Sequence, residues 1–288
     1  MKTLAVSFSE SPDLEARGLL PEHLTHVALE LARYVIDAGH RLAYGGDLRD
    51  QGFTGHLVAL VALHGHSDEP SYARLDHYLS WPFYIERSDD ERRRLRAAAT
   101  QVPVPPPEDL VPDPSTPPTP EAAETPYLRA RSLTAMRRTM SRDTHARILI
   151  AGRVADYLGY FPGVAEEAYW TIREGKPLFL MGGFGGATAA VIEALRGGTP
   201  SALAPDTLRK HARKAAAKSG HPLLDDVYRK HGAHEWVELD MSAVFRDSGV
   251  AGLNNGLSAE ENAVLFETVD PLEAAALVLR GLSAVPTE

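Results

Sequence analysis

Two short apolar runs that each break off in glycine, with an acidic amphipathic segment between them, constrain this chain more than any other feature. They occupy residues 148–188, ILIAGRVADYLGYFPGVAEEAYWTIREGKPLFLMGGFGGAT. The first run stops at Gly152 and Arg153. The second, residues 177–181, stops at Gly182, Gly183, Phe184, Gly185 and Gly186. A strand that yields to glycine and then to a helix is the repeating unit of an open parallel sheet, and ligands in such sheets sit outside the carboxyl ends of the strands. The segment therefore predicts half of a nucleotide-type binding crevice.

The N-terminal part repeats the unit. Residues 4–9, LAVSFS, form a short run rich in β-branched and aromatic residues, which places the hydroxyls of Ser7 and Ser9 at a strand end. From Pro21, Leu24, Val27, Ala28, Leu31 and Val35 keep helical spacing up to Gly39, where a helix usually ends. Residues 41–44 read as a second strand closing on Gly45-Gly46-Asp47, and residues 53–64 resume helical spacing. This βαβα opening favours a parallel sheet with right-handed crossovers. The expected class is α/β, a Rossmann-like parallel sheet with helices on both faces, formed by residues 1–288 as one domain. Residues 81–85, WPFYI, read either as a strand or as an irregular aromatic segment. Residues 101–126 hold ten of the 21 prolines and almost no large apolar residue, so they read as a disordered insertion that cannot offset its ordering entropy by burial. Residues 128–144 then predict a basic helix. Further helices are expected over residues 189–195, 203–218, 221–231 and 271–282, and Ser258 and Glu261 have the spacing of a capping box.

Composition excludes several functions. A formal charge of -9 argues against general nucleic-acid binding, which draws its affinity from clustered Lys and Arg. The absence of cysteine removes disulfides, thiolate zinc sites and thiol catalysis. No histidine among the 12 pairs with a carboxylate or second histidine at helical ligand spacing, so no metal site is expected. No apolar run approaches the roughly 20 residues that span a bilayer, and the N-terminus turns polar too soon for a signal peptide. A soluble cytoplasmic protein without membrane contact is the expectation.

Three motifs carry the chemistry. Gly45, Gly46, Asp47, Leu48 and Arg49, continued by Phe53 and Thr54, put glycines and an arginine before a helix N-terminus, which suits a phosphate. They equally suit a tight turn with a capping Asp47. Arg137 and Arg138 lie upstream of Gly163, Glu166 and Glu167; a carboxylate there binds ribose hydroxyls or merely favours a helix start. Which glutamate faces the site is open. Gly182, Gly183, Phe184 and Gly185 either let the backbone approach a phosphate or ribose or form a glycine hinge between strand and helix. The run lacks the Lys-Ser/Thr ending of a P-loop, and no Gly-x-Ser-x-Gly elbow occurs.

Together these motifs resemble the SLOG superfamily, named for the Smf/DprA and Lonely Guy proteins. In Lonely Guy phosphoribohydrolases an arginine-bearing helix M-x-x-R-K precedes P-G-G-x-G-T-x-x-E. Here Arg137 and Arg138 stand on the Arg-Lys pair, Gly163 on the last glycine and Glu167 on the glutamate, while Gly159, Tyr160 and Phe161 replace the Pro-Gly-Gly start and Val164 the threonine. The form is similar to non-enzymatic branches that sense nucleotide messengers, among them domains fused to TIR or sirtuin effectors in antiphage defence and the ligand-binding region of TRPM channels. The resemblance implies a small nucleotide ligand, ADP-ribose-like or cyclic, with no other cofactor, a homo-oligomer and an effector such as TIR. The alternative it implies is an N-glycosidase in which Glu167 and Arg137 are catalytic.

Overall fold

A computed structural model describes residues 1–46, 53–64, 74–96, 99–110, 115–116, 118–119 and 122–285. Six strands form one sheet: β1 (Thr3–Ser9), β2 (Arg41–Tyr44), β3 (Leu75–Ser80), β4 (Thr100–Val104), β5 (Ala146–Ala151) and β6 (Leu178–Met181). Their order is β4-β3-β2-β1-β5-β6 and every pairing is parallel. The chain thus builds outward from β1 on one side, then returns to add β5 and β6 on the other. The fold is Rossmann-like, and its switch of direction lies between β1 and β5, where a crevice must open at the carboxyl ends.

Helices α1 (Pro21–Asp37), α2 (Phe53–His64), α3 (Asp89–Arg96), α4 (Thr125–Asp143), α5 (Gly163–Arg173) and α6 (Gly186–Leu195) connect the strands or follow them. Beyond them come α7 (Pro205–Ser219), α8 (Leu224–Lys230), α9 (His234–Glu238), α10 (Met241–Ser248), α11 (Ala259–Glu267) and α12 (Pro271–Ala284). Both sheet faces are covered. On one face Leu4, Val6, Leu42, Ile148, Ile150 and Phe179 pack under α1, α2 and α12. On the other, Leu149, Leu178 and Leu180 meet α5, α6 and α10, and Ala5 and Ala43 meet Met136 and Met140 of α4. Alternate residues of β5 serve opposite layers, as the period of two requires.

Strands β1, β2, β5 and β6 and helices α1 and α2 fall where the apolar pattern puts them, and the Ser258–Glu261 capping box forms. The far edge differs. Strand β3 ends at Ser80, and residues 81–86 are turns rather than a strand. Asp76 and His77 break the apolar run of β3, so composition conceals it; Asp76 is an ion-pair partner of Arg41. Residues 101–104, expected within a disordered insertion, extend the sheet as edge strand β4. Pro103 is tolerated there because an edge strand leaves one side of its ladder unpaired. Thr125 and Pro126, at the other end of that stretch, open α4, while residues 111–114, 117 and 120–121 of it lie outside the described residues.

The glycine run after β6 is packed against protein. A Cβ on Gly182 would stand 2.6 Å from the Phe266 carbonyl oxygen, and one on Gly183 2.5 Å from that of Thr268. Asp13 accepts the Gly186 N–H at 2.7 Å, and Arg17 donates to the Gly183 carbonyl at 3.2 Å. Phe184 is wholly buried. The run lets the end of α11 lie against the β6–α6 turn, a packing use of its glycines beyond the hinge and ligand-cradle readings. Gly183→Ala is expected to cost about 1–3 kcal/mol by overpacking, read as a lower midpoint in urea unfolding.

Candidate functional site

A cleft of about 580 Å³ opens at the switch point. The end of β1, from Val6 to Glu10, forms its base, with the N-terminal turn of α1 at Pro21, Leu24 and Thr25 and the Tyr44-Gly45-Gly46 turn beside it. Arg137 and Leu133 of α4, Arg153, residues 156–158, and Gly163, Val164 and Glu167 of α5 complete it. The lining holds carboxylates at Glu10, Asp156 and Glu167 against guanidinium groups at Arg137 and Arg153, a mixture able to meet both hydroxyl donors and phosphate oxygens. Just before Arg153, strand β5 ends at Ala151 with φ 56° and is followed by Gly152 with φ 111°, neither of which lines the cleft. The first is a left-handed conformation uncommon for a residue with a side chain. A Cβ on Gly152 would meet Val164 at 2.9 Å, so glycine here brings β5 and α5 together.

The two adjacent glutamates have different surroundings. Glu166 is completely buried, where it accepts hydrogen bonds from Thr134 Oγ1 and Arg137 Nη1, both 2.5 Å. Glu167 reaches the cleft, and behind it the wholly buried Arg147 stands 3.7 Å away. Arg147 donates to Ser7 Oγ at 2.7 Å, Thr171 Oγ1 at 3.0 Å and Ser141 Oγ at 3.1 Å, so β1, α4 and α5 converge on one guanidinium. Burial pushes its pKa down, and the Glu167 carboxylate opposes that shift. Sequence reading did not single out Arg147; a lone arginine opening an apolar strand was the available signal.

Arg137 lines the cleft but is mostly committed inward. A Cβ on Gly163 would lie 2.6 Å from its Nη2, and one on Gly159 2.9 Å from its Nη1. Gly163 therefore makes room for the arginine, and α5 starts close against α4. Among the described residues Arg137 Nε is buried without a hydrogen-bond partner. Arg138 points elsewhere: it is largely exposed, its guanidinium 5.1 Å from the Trp170 ring centroid and 3.9 Å from Glu174. The pair read as one motif thus splits between interior and surface, because consecutive helical residues face about 100° apart.

Of the other expected residues, Ser7 is spent on Arg147, and Ser9 accepts the Arg153 backbone N–H at 2.9 Å. Gly45 and Gly46 line the cleft; Gly182, Gly183, Phe184 and Gly185 do not. Asp47, Leu48 and Arg49, and the side chains of Phe53 and Thr54, lie outside the described residues. Beside the Gly46 turn, His77 is buried with Nε2 3.3 Å from the Gly46 carbonyl oxygen, and burial holds its pKa down at about 4. Among the described residues no three metal-ligating side chains cluster, and no helix is long and apolar enough to cross a membrane.

Fold and cleft together define a Rossmann-like α/β protein with a ligand site at the switch point of its sheet. The chain belongs to the SLOG cluster2 family, whose model matches residues 1–265. Membership is consistent with nucleotide binding or sensing in general. No curated protein matches the chain. Among solved structures, the X-ray structure of the structural-genomics target TM1055 is 17% identical and the match covers 65% of this chain and 78% of that one, with a TM-score of 0.39.

Two outcomes follow from this geometry. Glu166→Leu strands a buried guanidinium and is expected to cost about 3–5 kcal/mol in denaturant unfolding, whereas Arg138→Ala should stay within about 1 kcal/mol. Because His77 is harder to protonate folded than unfolded, the unfolded state takes up more protons below pH 6.5. Stability should fall as pH drops from about 6.5 to about 4, by up to about 3 kcal/mol, and His77→Gln should flatten that window in pH-dependent unfolding.

Proposed function

We propose that the cleft binds a nucleotide-derived messenger, ADP-ribose-like or cyclic, and that the protein is a sensor rather than a hydrolase. The observation that carries this reading is Glu167, a mostly buried carboxylate that lines the cleft and is anchored from behind by the fully buried Arg147. A fixed acceptor of this kind suits a pair of ribose hydroxyls. Arg153 and the start of α5 offer a cation and free N–H groups for phosphate nearby. The cleft volume falls within the roughly 300–1,000 Å³ of small-ligand sites.

Sensing is favoured over cleavage by what replaces the Pro-Gly-Gly cradle of the related hydrolases. Phe161 is buried there among Val164, Ala165 and other apolar side chains, with its ring 5.9 Å from that of Trp236. A segment anchored in the core is less suited to wrapping a phosphate. Binding then acts by shifting an oligomerisation or effector equilibrium, through differential affinity for the two states. A homo-oligomer coupled to an effector such as TIR, in cytoplasmic antiphage defence, is part of the same proposal.

The test follows melting temperature and product formation together, with NAD, ADP-ribose, cyclic ADP-ribose isomers, cyclic dinucleotides and AMP. A sensor gives a melting shift without product: a ligand at about 100 times its Kd stabilises by about 2.7 kcal/mol, a shift of several degrees. Glu167→Gln should remove most of that shift. Base release abolished by Glu167→Gln would instead make the protein an N-glycosidase, and neither shift nor product with any ligand would refute both readings.

A further inference from the structure

The cleft has a neighbour. A second cavity of about 320 Å³ shares residues 156–158 with it, so one short segment is wall to both. That segment takes an unusual course: Asp156 has φ 52°, and Leu158 is 64% exposed despite its apolar side chain. On the far side the lining comes from the first turns of α4 at Thr125, Pro126 and Arg129, from α7 at His211, Ala212, Ala215 and Ala216, and from the α7–α8 turn. Helix α7 is remote from the switch point in sequence and none of its residues lines the cleft, whereas α4 reaches the cleft further along, at Leu133 and Arg137.

The second cavity differs chemically from the first. Its lining is mainly apolar, with Tyr157 and Tyr160 presenting aromatic surface and small alanines opposite. The Tyr157 ring sits 6.2 Å from that of His211, tilted by 59°. The Tyr160 hydroxyl is already used, donating to Asp225 Oδ1 at 3.1 Å, so that ring is fixed as a wall. The polar groups of the cavity are Arg129, which pairs with Glu86 at 3.3 Å, together with His211, His221, Thr125, Ser219 and the shared Asp156. A flat heteroaromatic ring between aromatic and small aliphatic side chains, with a phosphate sharing the Arg129 guanidinium with Glu86, matches this surface.

We propose that the second cavity receives the second nucleoside half of a dinucleotide-type ligand whose first half lies in the cleft, with the linking phosphates crossing residues 156–158. This rests on the nucleotide reading of the cleft and narrows it: the two cavities, about 580 and 320 Å³, share one wall, and each is lined by arginine, Arg137 and Arg153 in one and Arg129 in the other. The division also gives residues 156–158 a role as the element that measures whether a ligand has one half or two.

The experiment titrates AMP, NAD and cyclic di-AMP into the full chain by calorimetry, comparing the wild type with Ala216→Trp and Ala215→Phe. Both substitutions fill the second cavity from α7 and leave the cleft lining unchanged; two are used so that one misfolded variant does not decide the matter. At least one dinucleotide should bind the wild type tenfold or more tighter than AMP, and the substitutions should erase that preference while AMP affinity holds within about twofold. The inference is overturned if AMP binds the wild type and neither dinucleotide binds tighter, or if the preference survives in a folded variant. If none of the three binds the wild type, the nucleotide reading of the cleft falls first and this inference with it.

Discussion

The arrangement of the cleft depends on one buried guanidinium. Arg147 enters β5 from the side that faces α4 and α5, and it has no exposed surface. Removing such a charge from water costs several kcal/mol, and each hydrogen bond to a charged group returns about 1.5–3 kcal/mol. Hydroxyls from Ser7, Ser141 and Thr171, with the carboxylate of Glu167, offset the cost only if β1, α4 and α5 sit in one mutual position. The group is a weak source of net stability and a strong source of specificity. Its consequence is that Glu167 is held at the cleft while its neighbour Glu166 turns inward to Arg137.

A second constraint is how closely backbone must pass side chain or backbone at the carboxyl ends of the strands. Gly152 lets β5 meet α5, and Gly159 and Gly163 leave room for the Arg137 guanidinium. Gly182 and Gly183 admit the chain at the end of α11. The same residue type that elsewhere cradles a phosphate here mostly admits another part of the protein. Close approach is common to both uses, and only the identity of the approaching group separates them.

The helices from α7 to α10 extend this logic beyond the sheet. They bring Tyr228 and Trp236 against Tyr127, Tyr160 and Phe161, ring on ring, and so fasten the segment that follows β5 to α4. Of these helices, α7 and the start of α8 also line the second cavity beside the cleft. Two cavities separated by three residues arise because this segment is pinned from both sides.

How much was legible in the sequence follows from what each element depends on. Strands β1, β2, β5 and β6 and helices α1 and α2 were readable because apolar periodicity and terminal glycines are local properties. Strands β3 and β4 were not, since Asp76, His77 and Pro103 break the apolar pattern and their places depend on pairing with a neighbour. Of the residues singled out in the sequence, Glu167, Arg137, Gly45 and Gly46 line the cleft and Gly182 to Gly185 do not, while Arg147, which no motif marked, stands behind Glu167. The order of strand, glycine and helix along the chain determined an open parallel sheet with a crevice at its switch point. Only tertiary structure decided which glutamate faces that crevice, because a side chain's burial depends on partners supplied by segments far away in sequence.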